Sequence, residues 1–126
     1  MLTNLLSVAL GGALGASARY LTNVGVMRLF GPGLPLGTVV VNILGSFLMG
    51  VLVVVLARRG HNDLAPFLMT GLLGGFTTFS AFSLDALTLW ERGQHAEAGL
   101  YIGLTVTLSL AAIGIGVYFA RIVVPQ

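Results

Sequence analysis

Long apolar runs alternate along the whole chain with short connections that are polar or rich in glycine and proline. A transmembrane helix needs about 20 predominantly apolar residues, and four runs reach that length. They extend over approximately residues 2–30, 36–56, 66–90 and 98–121. The connections between them are too short to form a further domain. The pattern therefore predicts an all-α fold in which residues 1–126 form a single transmembrane domain of four membrane-spanning helices.

The third run contains a stretch that is poorly suited to an α-helix. Gly71, Gly74 and Gly75 are followed by the β-branched pair Thr77 and Thr78. Each glycine costs about 1 kcal/mol relative to alanine in a helix, and each threonine up to about 0.7 kcal/mol. An interrupted helix inside a membrane frees backbone groups, which is tolerated only where protein, a cavity or an ion satisfies them. We therefore predict a break in the middle of the third helix and expect it to be the functional centre of an ion-conducting protein.

The composition supports an integral membrane protein and excludes several other classes. Hydrophobic residues make up 56% of the 126 residues and charged residues 8%, with a mean hydropathy of +0.99. Soluble domains carry about 25% charged residues. Lysine and cysteine are absent and the arginines are scattered, so neither nucleic-acid binding nor a thiolate metal site is expected. The N-terminal run lacks a basic n-region, so we expect it to be retained as a span rather than cleaved.

The second run carries a polar face. Thr38, Asn42 and Ser46 recur every four residues and so share one side of a helix. Asn42 is the most polar residue deep in this run. Its amide suits either a hydrogen bond that joins two membrane helices or a donor that lines an anion path, and the sequence leaves both interpretations open.

Aromatic and hydroxyl side chains form further patterns in the third and fourth runs. Tyr101, Thr105 and Ser109 are spaced by four residues and share one helix face. A hydroxyl in a helix often donates to the backbone carbonyl four residues back. That local bond is a less complete explanation for three hydroxyl side chains on one face. Phe79 and Phe82 share a face if the helix resumes after the break. Two interpretations fit this pair. The rings either serve as packing residues, or their electropositive edges stabilise a partly dehydrated anion.

The arginines indicate how the chain inserts into a membrane. Four spans place Arg58, Arg59 and Arg121 on one side, and Arg28 and Arg92 on the other. Because the positive charges are nearly balanced, the positive-inside rule gives almost no preference for one orientation. We therefore predict dual topology, with copies inserted both ways. Two opposite copies would form an antiparallel homodimer about a twofold axis in the membrane plane. Carbonyls released at two breaks on that axis would form a hard-oxygen site without carboxylates. Such a site suits Na⁺ better than Zn²⁺ or a transition metal.

Two charged residues lie inside the apolar runs and away from their last turn. Arg19 is either a snorkelling arginine at the membrane interface or a residue with a structural or electrostatic role near an anion vestibule. Asp85 precedes Trp90 by about one helical turn, and an interfacial position fits it better than a buried one. His61 and His95 have no partners at ligand spacing, and we interpret them as exposed loop residues.

Three motifs are the most distinctive parts of the chain: GGALGASARY at residues 11–20, GTVVVNILGSF at 37–47 and GLLGGFTTFSAF at 71–82. Together they resemble the Fluc/CrcB family of small bacterial fluoride channels, over nearly the whole chain. The resemblance implies an antiparallel, dual-topology homodimer with two pores and a central structural Na⁺. By motif position, the Na⁺ ligands would be the backbone carbonyls of Gly74 and Thr77. The residues expected to line the fluoride path are Thr38, Asn42, Phe79, Phe82, Tyr101, Thr105 and Ser109.

The function implied by this resemblance is passive export of fluoride across the bacterial cytoplasmic membrane. The partners would be fluoride, a second copy of the chain and the lipid bilayer. A small drug/proton antiporter is the alternative, but its chemistry needs a carboxylate deep in the membrane, and Asp85 is badly placed for that. A non-transporting assembly subunit would explain the small-residue faces but not the hydroxyl-bearing ones. No arrangement of nucleophile, base or metal ligands indicates an enzyme.

Overall fold

The computed structural model describes all residues 1–126, and every element of it is helical. Helix α1 spans Leu2–Phe30, α2 spans Leu36–Arg59 and α5 spans His95–Val123. Helix α2 runs three residues past the expected Leu56, and α5 begins three residues before the expected Ala98. Both extensions consist of polar or small residues that favour helix well enough to continue a helix already formed.

The third apolar segment is divided into several pieces. A 3₁₀ turn at Asn62–Leu64 leads into a π-helix at Pro66–Leu73 and then one α-helical turn, α3, at Gly74–Phe76. Residues 77–79 are not helical, and helix α4 follows at Ser80–Glu91. The break predicted from the sequence is therefore present. It lies just after the glycines rather than at them, because Thr77 is the residue with an extended backbone (φ −84°, ψ 159°).

The glycines before the break serve close packing against α1. A Cβ atom on Gly71 would lie 2.9 Å from the carbonyl oxygen of Val8, and one on Gly75 would lie 2.8 Å from that of Gly12. From the other side, a Cβ on Gly15 would overlap the carbonyl oxygen of Leu72. The backbones of α1 and the third segment therefore approach as closely as small residues allow, and this contact places α1 beside the break.

Helices α2 and α5 form the other close pair. A Cβ on Gly50 would overlap the carbonyl oxygen of Ile113, and a Cβ on Gly116 would overlap that of Phe47. The two helices thus cross backbone to backbone near one end.

The protein is a multi-pass membrane protein by the character of its helices. Three segments are long and apolar enough to cross a bilayer: Leu36–Arg59, Asn62–Glu91 and His95–Val123. Helix α1 has the length, at 29 residues, but its glycines and polar residues make it less apolar than these three. Only 21 of 126 residues are buried, and the large apolar surface that remains fits contact with lipid or another protein.

Candidate functional site

The break is held open by a side chain from α2. The Nδ2 atom of Asn42 donates to the carbonyl oxygen of Thr78 at 2.9 Å, and the amide nitrogen of Thr78 donates to Oδ1 of Asn42 at 2.8 Å. The side-chain amide of Asn42 therefore satisfies both backbone groups of Thr78, which have no partners within a helix. The helix-joining interpretation of Asn42 is thus correct. Its second Nδ2 hydrogen makes no hydrogen bond within the chain, and Asn42 also lines a cavity described below.

A second tie comes from α1. The Nε atom of Arg19 donates to the carbonyl oxygen of Gly75 at 3.1 Å, across 56 positions of sequence. Arg19 is half-buried. A simple snorkelling arginine would extend its head group toward water, whereas this one is directed at the backbone beside the break. The structure therefore favours the structural alternative for Arg19.

The threonines of the break cap the helices on either side of it. The amide nitrogen and Oγ1 of Thr77 both donate to the carbonyl oxygen of Leu73, at 3.0 Å and 2.9 Å. Oγ1 of Thr78 accepts from the amide nitrogen of Ala81 at 3.1 Å, the interaction of an N-cap threonine. These local bonds explain why two threonines, poor residues for a helix interior, follow each other at this point.

Among the carbonyl oxygens of the break that accept no hydrogen bond from within the chain, two are relevant to a cation. They belong to Gly74 and Thr77, the residues that the family resemblance assigned to Na⁺. Gly74 lies on the exposed surface of the chain. No group of three or more His, Cys, Asp or Glu side chains is close enough to hold a metal ion, so the available ligands are neutral hard oxygens. These fit Na⁺ in kind, although two carbonyls from one chain would not complete its coordination.

A cavity of about 350 Å³ lies beside the break, between α2 and α5. It brings together Asn42, Phe79, Phe82, Thr105 and Ser109, five of the residues expected to line a fluoride path. The full lining is Asn42, Gly45, Ser46, Met49, Thr77, Thr78, Phe79, Phe82, Thr105, Val106, Ser109, Leu110 and Ile113. We call it the central cavity. A mostly apolar cavity with a few convergent polar groups is the usual form of a small-ligand site.

The hydroxyls of Thr105 and Ser109 are the polar groups of the central cavity that lack a partner. Both oxygens are buried and make no hydrogen bond. Other helical hydroxyls behave differently: Ser17 donates to the carbonyl four residues back, and so does Thr22. The simple backbone explanation therefore does not hold for Thr105 and Ser109. A buried hydroxyl without a partner costs free energy, so a ligand that accepts a hydrogen bond would stabilise this pair.

Phe79 and Phe82 form a tilted pair at one wall of the central cavity. Their ring centroids are 5.6 Å apart with an interplanar angle of 59°. Phe82 is 7% exposed, whereas Phe79 is 77% exposed. Phe82 also lies 5.4 Å from the ring of Tyr101. Packing within one chain therefore explains Phe82 but leaves most of the Phe79 ring uncovered.

Thr38 and Tyr101 lie outside the central cavity. Their hydroxyls both donate to Oδ2 of Asp85, at 2.8 Å and 3.0 Å, and both residues are buried, at 5% and 1% exposure. Asp85 is half-buried at the wall of a smaller pocket of about 220 Å³, which Thr38 also lines. A fluoride-lining role for Thr38 and Tyr101 stays a prediction, since in this chain their hydroxyls are engaged by the carboxylate.

The engagement of Asp85 was not anticipated from the sequence, which placed it near the interface by its distance from Trp90. One signal was available. Phe79, Phe82 and Asp85 are spaced by three residues, so they follow one side of the chain from the break into α4. A face that begins at the break and carries two phenylalanines would have placed the carboxylate on the same side as the polar residues of α2 and α5.

These features define a helical membrane protein with a broken helix beside a partly polar cavity, and sequence comparison identifies its family. Residues 6–117 match the family model described as "CrcB-like protein, Camphor Resistance (CrcB)". The chain is 70% identical over 121 residues to a protein of Cereibacter sphaeroides, which covers 96% of this chain and 97% of that one. It is 61% identical to a protein of Ruegeria sp. over 96% of this chain and 97% of the relative. Both relatives are named fluoride-specific ion channel FluC. The chain belongs to the CrcB family, and the resemblance seen in its motifs is confirmed.

Proposed function

We propose that the protein is a fluoride-selective channel that lowers intracellular fluoride by letting the ion flow passively out of the cell. The observation that carries this proposal is the central cavity, where two buried and unpartnered hydroxyls lie beside a phenylalanine pair. The names of relatives at 61–70% identity over most of the chain support it. Fluoride that enters an acidified cell as HF dissociates there, and the anion needs such a route out.

The cavity suits a small, strongly hydrated anion. Fluoride is a strong hydrogen-bond acceptor, and the hydroxyls of Thr105 and Ser109 are donors with no other partner. The remaining Nδ2 hydrogen of Asn42 is a third donor on the same cavity. Phenyl rings present electropositive edges, so the tilted pair of Phe79 and Phe82 supplies weak stabilisation where water is scarce. Larger anions have lower charge density and gain less from the same donors.

The functional unit in this proposal is an antiparallel, dual-topology homodimer of four-span chains in the bacterial cytoplasmic membrane. The exposed Gly74 and the uncovered ring of Phe79 support a second copy at the break. Carbonyls of Gly74 and Thr77 from two copies would hold one structural Na⁺. When bound, this ion would satisfy the backbone oxygens and add a positive potential that favours anions at the dimer centre.

Efflux from liposomes tests the activity. Purified protein is reconstituted into vesicles loaded with potassium fluoride or potassium chloride, and release is followed with an ion-selective electrode after valinomycin clamps the potential. We expect rapid fluoride release with chloride retained. Retention of both ions would contradict the channel. Uptake of an organic cation driven by a proton gradient would instead indicate the antiporter, with Asp85 as its carboxylate.

The orientation of the chain is tested separately. Two lysines inserted next to His61, in the exposed connection before the third segment, would bias insertion through the positive-inside rule. Dual topology predicts that this one-way variant loses activity and that co-expression with an oppositely biased variant, carrying lysines next to Gly93, restores it. A one-way population that conducts fluoride alone would contradict the antiparallel dimer.

A further inference from the structure

Arg19 takes the place of a missing backbone donor at the break. In an unbroken helix, the carbonyl of Gly75 would accept the amide hydrogen of Phe79, four residues ahead. That bond is absent, because the chain becomes extended at Thr77. The Nε atom of Arg19 donates to this carbonyl instead, at 3.1 Å. A guanidinium is planar and fixes the direction of the group that it binds better than an ammonium does.

The position of Arg19 is well determined by packing. It lies one helical turn after Gly15, where α1 touches the backbone of the third segment at Leu72 and Phe76. This contact leaves little freedom for α1 to slide along the third segment. The guanidinium therefore reaches Gly75 from a rigid base, and the peptide unit that follows Gly75 is fixed relative to α1.

The backbone of the break is held at three places. The carbonyl of Leu73 accepts two hydrogen bonds from Thr77. The carbonyl of Gly75 accepts one from Arg19, and both backbone groups of Thr78 pair with Asn42. The carbonyls of Gly74 and Thr77, which accept no hydrogen bond within the chain, lie next to these fixed points.

We propose that Arg19 is a positioning residue for the cation site of the break, acting through the Gly75 carbonyl. By holding that carbonyl, it keeps the neighbouring Gly74 and Thr77 carbonyls free and directed away from the chain, so that they can meet those of a second copy. This inference rests on the structural Na⁺ of the proposed function. It differs from an electrostatic role at an anion vestibule, in which Arg19 would act on fluoride directly.

Charge and hydrogen bonding predict opposite effects on cation binding, so experiment can separate them. A guanidinium near a bound cation repels it, and removing the charge alone would make Na⁺ bind more tightly. Removing the hydrogen bond leaves the Gly75 carbonyl unpaired and the break less ordered, which would make Na⁺ bind more weakly. The positioning role requires the second effect to be the larger.

The test measures the Na⁺ dependence of thermal unfolding of the purified protein, with N-methylglucamine replacing Na⁺ at constant ionic strength. A folded-state ligand raises the melting temperature as its concentration passes its dissociation constant. The variants are Arg19→Met, which removes charge and donors, and Arg19→Gln, which removes charge but keeps a donor. Arg28→Met is the matched control, because Arg28 is an exposed arginine in the last turn of the same helix.

We expect the Na⁺ midpoint of Arg19→Met to rise about tenfold, equivalent to about 1.4 kcal/mol. The midpoint of Arg19→Gln, which loses the charge but keeps a donor, should stay at or below that of the wild type, and Arg28→Met should match the wild type. A midpoint that falls in Arg19→Met, or equal shifts in Arg19→Met and Arg19→Gln, would overturn the proposal. If Arg19→Met does not fold, Arg19→Leu, which also removes the charge and every donor, replaces it, and an unchanged or lowered midpoint in that variant overturns the proposal equally.

The same titration separates a failure of the structural cation from a failure of the role of Arg19. If wild-type unfolding does not respond to Na⁺, the structural cation of the proposed function is wrong, and the role of Arg19 falls with it. If the wild type responds and Arg19→Met does not shift, only the role of Arg19 is wrong. Fluoride flux is not needed for either conclusion.

Discussion

Asn42 and Thr78 are joined by two hydrogen bonds in which one side-chain amide satisfies both backbone groups of a residue outside any helix. The distances, 2.9 Å and 2.8 Å, are those of good N–H···O bonds. This pairing anchors the break to α2, the helix that forms one wall of the central cavity. The geometry of the cavity and the geometry of the break therefore depend on the same residue.

Replacing Asn42 by leucine should destabilise the protein and reduce fluoride flux. The change leaves the amide and carbonyl of Thr78 unpaired, and the free energy of unfolding should fall by about 2–4 kcal/mol. Chemical denaturation and liposome efflux measure the two effects. Asn62→Leu, in the exposed 3₁₀ turn, is the control and should change neither by much. Wild-type stability in Asn42→Leu would show that the pairing does not hold the break.

Removing the free hydroxyls of the central cavity should reduce fluoride flux without reducing the stability of the fold. Thr105→Val and Ser109→Ala delete donors that have no partner in the chain, so the free energy of unfolding should stay the same or rise. Fluoride flux should fall by about tenfold or more, which corresponds to about 1.4 kcal/mol of lost stabilisation. Thr22→Val provides the comparison, because its hydroxyl already donates to its own helix. Wild-type flux in both cavity variants would contradict a path through this cavity.

The phenylalanine pair should matter more for transport than for assembly. Phe79→Ile and Phe82→Ile keep an apolar side chain but remove the ring edge, so flux should decrease while the dimer persists in size-exclusion chromatography. Phe82→Ile should also cost about 1–2 kcal/mol of stability, since Phe82 is buried. Phe119→Ile, half-exposed on α5, is the control. Unchanged flux in both Phe79→Ile and Phe82→Ile would make them packing residues.

The contact between α1 and the third segment should not tolerate a methyl group. In Gly15→Ala, the new Cβ would overlap the carbonyl oxygen of Leu72, and because backbone cannot move aside easily, we expect a loss of about 2 kcal/mol or more. Gly25→Ala is the matched control on the same helix, with nothing within 4 Å of its Cβ. It should gain up to about 1 kcal/mol from helix propensity. Thermal unfolding measures both, and equal stability of the two variants would argue against this close contact.

Much of the candidate site could be anticipated because it follows short-range rules. Glycines next to a threonine pair in an apolar segment predicted the break, and spacing by four residues placed Thr105 and Ser109 on one face. The exact position of the break could not be read in this way. Gly71 and Gly75 weaken a helix locally, but their contacts with α1 keep the chain helical up to Phe76, and only a neighbouring helix can supply that effect.

The sequence by itself determined the helical class, the membrane environment and the family, because hydropathy, local propensity and motifs depend on neighbours along the chain. Tertiary structure alone decided which polar groups meet. Arg19 lies 56 positions from the carbonyl it binds, and Thr38 lies 47 positions from Asp85. Such partners are selected by how helices cross, and glycine contacts between backbones fix two of these crossings, that of α1 with the third segment and that of α2 with α5. That is why Thr105 keeps a free hydroxyl for the central cavity while Tyr101, one turn earlier on the same helix, donates to a carboxylate.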